Sequence, residues 1–156
     1  MALYLVQHGK SNPKDQDPQQ GLSEQGQAET LRIAKVAADY GVSVGRILHS
    51  GKQRALQTAE IMADQLEPAN GVAVRQGMKP LDDVRQLAGT VKSGDHMMLV
   101  GHLPFMERLA AYLVTGSTEQ RIFKFQNGGI VCLDTDQGPD DWVIRWALMP
   151  NIGETS

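Results

Sequence analysis

Two histidines, an arginine and two lysines stand close behind three short apolar runs of this 156-residue chain. Gln7-His8-Gly9-Lys10 follows the run Leu3 to Val6. Ser50-Gly51-Lys52-Gln53-Arg54 follows Val44 to Leu48 and His49, and Gly101-His102-Leu103-Pro104 follows Met97 to Val100. The second and third stretches lead straight into segments with helical spacing. Free backbone N–H groups at a helix start, together with the helix dipole, favour a negative charge. A guanidinium adds a planar fork that fits two oxygens of an oxyanion. Residue types and placement together point to phosphate chemistry.

The elements that must position these residues are legible in the spacing. Leu3 to Val6, Val44 to Leu48 and Met97 to Val100 read as strands. Ser23 stands as an N-cap, with Ala28, Leu31, Ala34 and Ala38 at helical spacing up to Gly41. Ser50 and Gln53 form a Ser-x-x-Gln capping box ahead of Ala55, Ala59, Met62, Ala63 and Leu66. Asn70-Gly71 marks a turn, and Asp82 or Asp83 caps a short helix through Val84 and Leu87. Pro104 suits the first turn of a helix whose apolar face is Phe105, Leu109, Tyr112 and Leu113. Ile130 to Leu133 and Trp142 to Leu148 read as a hairpin around Gln137-Gly138-Pro139. Alternating strands and helices with a closing hairpin imply a three-layer α/β/α domain over residues 1–156, its sheet mostly parallel with an antiparallel edge. In such sheets ligands bind beyond the carboxyl ends of the strands, where the three stretches lie.

Composition narrows the function classes. Hydrophobic residues make up 41% and charged residues 21%, an ordinary globular balance, and a net charge of −3 argues against nucleic acid as a partner. Cys132 is the sole cysteine and lies in an apolar run, as a small core side chain would. The start of the chain has no basic lead, and no run is long enough to span a bilayer, so a cytoplasmic protein without membrane contact is expected. The histidines lack a paired spacing such as His-x-x-x-His, so neither metal nor cofactor is expected. His49 is either part of the site rim or a bystander at a strand end, and His96 reads as a turn residue.

Five segments in order resemble those of the histidine phosphatase, or phosphoglycerate mutase-like, superfamily, and most of all its small SixA-type phosphohistidine phosphatase branch. Leu3 to Gly9 resembles the strand that ends in Arg-His-Gly, and Gly21-Leu22-Ser23-Glu24-Gln25-Gly26 resembles Leu-(Ser/Thr)-x-x-Gly. The block from Ser50 to Ala59 resembles Ser-Pro-x-x-Arg-Ala-x-Gln-Thr-Ala, with Gly51 in place of proline. Gly77 to Asp83 resembles the Gly-Leu-x-Pro-x-Asp-Asp loop of the SixA-type members, and Gly101 to Pro104 resembles Gly-His-x-Pro.

The resemblance implies a phosphoglycerate mutase-like fold and a phosphatase in which His8 attacks phosphorus and becomes a phosphohistidine that water hydrolyses. It implies that Arg54 clamps the phosphoryl oxygens and His102 donates to them, with Gln7, Gly9, Lys10 and Ser50 in support. Gln7 stands where the family carries its first arginine, and Lys10 is a candidate to restore that charge. Asp83 is the candidate general acid. A reduced charge clamp and a weak acid point to a labile P–N bond, hence to phosphohistidine on another protein. Two alternatives stand beside this reading: a phosphomonoesterase for a small metabolite, and a catalytically weak phosphohistidine-binding module. Gln7 is the feature that keeps the second open.

Overall fold

The computed structural model describes residues 2–153. Four strands, β1 (Leu3–Gln7), β2 (Arg46–His49), β3 (Val72–Val74) and β4 (Met97–Gly101), run parallel. Two more, β5 (Ile130–Thr135) and β6 (Trp142–Leu148), complete the sheet as an antiparallel edge, in the order β3-β2-β4-β1-β5-β6. The helices are α1 (Glu24–Asp39), α2 (Gln53–Leu66), α3 (Val84–Ala88) and α4 (Phe105–Thr115). This is the mixed α/β architecture of the phosphoglycerate mutase-like fold.

Side-chain alternation divides the core in two. Tyr4, Val6, Ile47, Met98 and Val100 pack against α1 and α2 through Ile33, Ala34, Ala59 and Met62. Leu3, Leu5, Leu48 and Leu99 face the other way, onto Leu87 of α3 and Phe105, Met106 and Leu109 of α4. Both faces of each central strand are therefore buried, which explains why these strands read as continuous apolar runs. Cys132 lies in the first of the two cores, and burial pushes its thiol up to about 11. No described helix is long and apolar enough to cross a membrane.

The structure departs from expectation at four places. Strand β3 falls just after the expected turn at Asn70-Gly71; three residues at an exposed edge carry too little periodicity to be read. The buried stripe of α1 is Gly26, Thr30, Ile33, Ala34 and Ala37, while Ala28 is exposed and Leu31 and Ala38 only half-buried. The reason is steric: a Cβ on Gly26 would lie 2.0 Å from the carbonyl oxygen of Lys10, so this glycine must face the loop behind β1. Helix α4 begins at Phe105, one residue after Pro104. The capping box at Ser50 does not form. Gly51 adopts φ +94°, the helix starts at Gln53, and the N-cap position falls to Lys52, whose side chain caps nothing.

A bulge at Arg145 breaks the pairing of β5 with β6, since Cys132 pairs Trp146 and Leu133 pairs Ile144. The slip turns Trp146 and Leu148 toward the α1–α2 core and Ile144 and Trp142 toward the α3–α4 core. It also places a charged residue on the open edge.

Candidate active site

The carboxyl ends of β1, β2 and β4 bring the three stretches together. His8 follows β1 directly, and its backbone N–H donates to Gly101 O at 3.0 Å, which stitches the first stretch to the third. Its ring Nδ1 lies 2.7 Å from Gly9 O. A carbonyl only accepts, so Nδ1 carries the proton and Nε2 is left with its lone pair. Burial lowers the pKa of His8, assisted by the positive Arg54 and opposed by the bond to Gly9. The ring is neutral near pH 7, the form a nucleophile requires.

His102 is 2% exposed, and its ring centroid lies 5.0 Å from that of His8, the planes tilted by 53°. Its Nε2 is 2.6 Å from Ser50 Oγ, while its Nδ1 is buried without a partner. Burial, followed by the charges of His8, Arg54 and Lys52, pushes its pKa down to about 3. A hydroxyl both donates and accepts, so the Ser50 contact is compatible with either neutral tautomer of His102. Gly51 makes this contact available: its left-handed turn frees Ser50 from helix capping and aims it at His102.

Arg54 lies in the first turn of α2, whose N-terminus has no side-chain cap. Burial lowers its pKa from the usual guanidinium value, with the cation retained. Thr58 ties it to the first stretch, donating to Arg54 O at 2.8 Å and accepting from Gly9 N at 2.9 Å. Gly9 itself is squeezed, since a Cβ there would lie 2.6 Å from Thr30 Oγ1. His8, Gly9, Arg54, His102 and Ser50 thus form one connected unit.

The remaining expected residues take other roles. The Oε1 of Gln7 is buried without a hydrogen-bond partner, and its backbone carbonyl accepts from Gly128 N at 2.9 Å. Lys10 Nζ lies 3.8 Å from the buried Glu29, which offsets the charge expected to replace the missing arginine. Asp83, the expected general acid, lies at the start of α3. It is the N-cap of α3 and forks onto Arg85, which holds its carboxyl below the usual range and so in the anionic form. Asp82 accepts from Lys79 N at 2.8 Å within its own loop. His49 is buried at the end of β2, its Nδ1 accepting from Gly51 N, and His96 occupies a left-handed turn.

Two supporting residues escaped the sequence reading. Thr58 belongs to the Arg-Ala-x-Gln-Thr-Ala block, yet nothing in the pattern shows that it bonds to Gly9. Asn127, whose Nδ2 donates to His8 O at 2.8 Å, lies 119 positions away and opens an unremarkable Asn-Gly-Gly turn. A groove of about 690 Å³ lined by Arg85, Tyr112 and Trp142 contains none of the histidines, so the chemistry does not coincide with that hollow. No group of three His, Cys, Asp or Glu side chains gathers to hold a metal among the described residues.

The model of the histidine phosphatase superfamily (branch 1) matches residues 3–82, and the chain belongs to that superfamily. Among solved structures it is similar to the protein histidine phosphatase SixA complexed with tungstate, with a TM-score of 0.81, 23% identity and coverage of 96% of this chain and 97% of that one. A SixA-named protein from Agrobacterium tumefaciens is 25% identical over 96% and 97% of the two chains, with a TM-score of 0.73. The alpha-ribazole phosphatase of Shigella flexneri shares the fold at 15% identity, full coverage of both chains and a TM-score of 0.71. No curated protein sequence matches the chain.

Proposed function

We propose that the chain is a phosphatase that forms a phosphohistidine on His8 and acts on phosphohistidine carried by another protein. One observation supports this reading above the rest: a neutral His8 whose Nδ1–H is committed to Gly9 O, with Nε2 left to attack, beside a second neutral ring and Arg54. In the first step the Nε2 lone pair bonds to phosphorus as the P–N bond of the substrate breaks. The substrate ring, protonated on its other nitrogen by solvent, leaves as neutral imidazole. Water then displaces Nε2 from phosphorus, yielding inorganic phosphate and neutral His8. Arg54 and the His102 ring stabilise the charge on the equatorial oxygens through both steps.

The preference for P–N over P–O follows from the proton inventory. His8 and His102 both have lowered pKa values, and Asp83 is held anionic, so none of them supplies a proton near neutral pH. An alkoxide leaving group needs such a proton. An imidazole, with a pKa of about 6.5, is a far better leaving group when its other nitrogen is protonated. The chain is also similar to a SixA phosphatase that was solved complexed with tungstate, an oxyanion.

The test compares a phosphohistidine peptide with p-nitrophenyl phosphate, using wild type, His8→Ala and Arg54→Ala without added metal. Faster hydrolysis of the peptide by wild type, abolished in His8→Ala and reduced about 10²–10³-fold or more in Arg54→Ala, is the expected outcome. Equal or reversed rates would identify a metabolite phosphomonoesterase. Retained phosphate binding without turnover would identify a binding module, the reading that Gln7 keeps open.

A further inference from the structure

The family match ends at residue 82, yet the turn Gln126–Gly129 reaches back to the head of the site. Asn127 Nδ2 donates to His8 O at 2.8 Å, and Gly128 N donates to Gln7 O at 2.9 Å. Both carbonyls lie past the last antiparallel pair of β1 with β5, Val6 with Ile130, so no ladder bond from β5 holds them. The turn is closed by Gly129 N donating to Gln126 O at 3.1 Å. It is also wedged in place: Gly128 has φ +77°, and a Cβ there would lie 2.9 Å from Thr30 Oγ1, the hydroxyl that also crowds Gly9.

A single residue near the end of the chain holds this turn. Asn151 N donates to Gln126 Oε1 at 3.0 Å, and Gln126 Nε2 donates back to Asn151 O at 3.2 Å. The side chain of Asn151 donates to Glu29 Oε2 at 3.1 Å, and Glu29 Oε1 lies 3.8 Å from Lys10. Asn151 is thus tied to both sides of the His8 loop, through Gln126 and Asn127 to His8 and through Glu29 to Lys10. None of these side chains bonds to the His8 ring; they act on the backbone that carries it.

We propose that Asn127 is a positioning residue that fixes the peptide of His8, and that the side chain of Gln126, clasping the backbone of Asn151, is the latch that sets it. The inference rests on His8 as the nucleophile. In-line attack demands that Nε2 meet phosphorus along the axis of the departing bond, and the ring is already fixed to its own backbone through Nδ1 and Gly9 O. Any rotation of the His8 peptide is therefore passed to Nε2. A misplacement of about 1 Å at such a centre costs about 10²-fold in rate, whereas an oxyanion clamp formed by Arg54 and His102 is unaffected by it.

The experiment measures phosphoramidate hydrolysis by the full chain as wild type, Asn127→Asp, Asn127→Ala, Gln126→Ala and Gln126→Ala/Asn127→Ala. Asn127→Asp keeps the shape and removes the donor. Both Asn127 variants are expected to lower kcat about 10- to 100-fold with KM within about twofold. Gln126→Ala, which removes both side-chain bonds to the backbone of Asn151, is expected to lower kcat about fivefold alone and less than about twofold in the Asn127→Ala background, because it acts through the same bond. Amide exchange at His8, whose N–H donates to Gly101 O, should accelerate in every variant. Losses of Asn127 and Gln126 that simply add would overturn the latch. A fall in Tm with kcat unchanged would overturn it too, as would unaltered exchange. If wild type hydrolyses nothing, the phosphatase reading fails, and the exchange measurement still decides whether Asn127 and Gln126 hold His8.

Discussion

His8 and His102 face one another across 5.0 Å as two neutral rings, and burial is the main reason neither takes up a proton. This has a consequence for folding. In the unfolded chain these imidazoles titrate near 6.5, so as the pH falls the unfolded state takes up protons before the folded one does. The stabilising contribution of His102 is whole above about pH 6.5 and is lost as the pH falls toward its folded value of about 3. Thermal unfolding followed from pH 7 to pH 4 should show a falling Tm, with a shallower fall in His102→Asn; equal slopes would contradict a buried neutral ring. Gln7 sets a second expectation. Restoring the cation with Gln7→Arg should tighten tungstate binding, measured by calorimetry, because the site then gains a charged donor. An unchanged affinity would mean that the side chain at position 7 does not meet the oxyanion.

The elements are fastened at their ends, where glycines permit contacts that a Cβ would block. Gly26→Ala places its methyl 2.0 Å from Lys10 O and so forces α1 away from the loop behind β1. The expected cost is about 1–3 kcal/mol of unfolding free energy in urea titrations. Gly51 is the sharper case. The related block carries proline there, but the φ of +94° in this chain is closed to proline, whose ring fixes φ near −65°. Gly51→Pro should therefore lose the Ser50–His102 contact and lower turnover of phosphohistidine peptide. A fully active Gly51→Pro would show that Ser50 is dispensable. The departure at position 51 is coupled to the absent capping box, because the same turn that frees Ser50 leaves the first turn of α2 uncapped.

Across the whole molecule, the chemistry comes from strand ends at the centre of the sheet, while the brace comes from its antiparallel side and the residues beyond it. Much of this was legible beforehand. The apolar runs that became β1, β2 and β4 are read correctly because strands buried on both faces require continuous hydrophobicity, and the residues following them meet at the carboxyl ends of those strands. The resemblance at His8, Arg54 and His102 could be read because those segments are contiguous. The face of α1 was misjudged because its buried positions are chosen by Gly26 and Thr30 meeting a distant loop. The pairing of Asp83 with Arg85, two residues away, was not read from the loop that contains it.

Sequence alone determined the order of the central strands and the main helices, the family and the histidine at the head of β1, because hydrophobic periodicity and short motifs are local properties of the chain. Tertiary structure decided which nitrogen of His8 is free, what Ser50 is bonded to, that Asp83 is occupied elsewhere and that Asn127 grips His8. Those outcomes depend on hydrogen bonds between groups far apart in the chain or on rotations about a single backbone bond. A one-dimensional pattern carries neither.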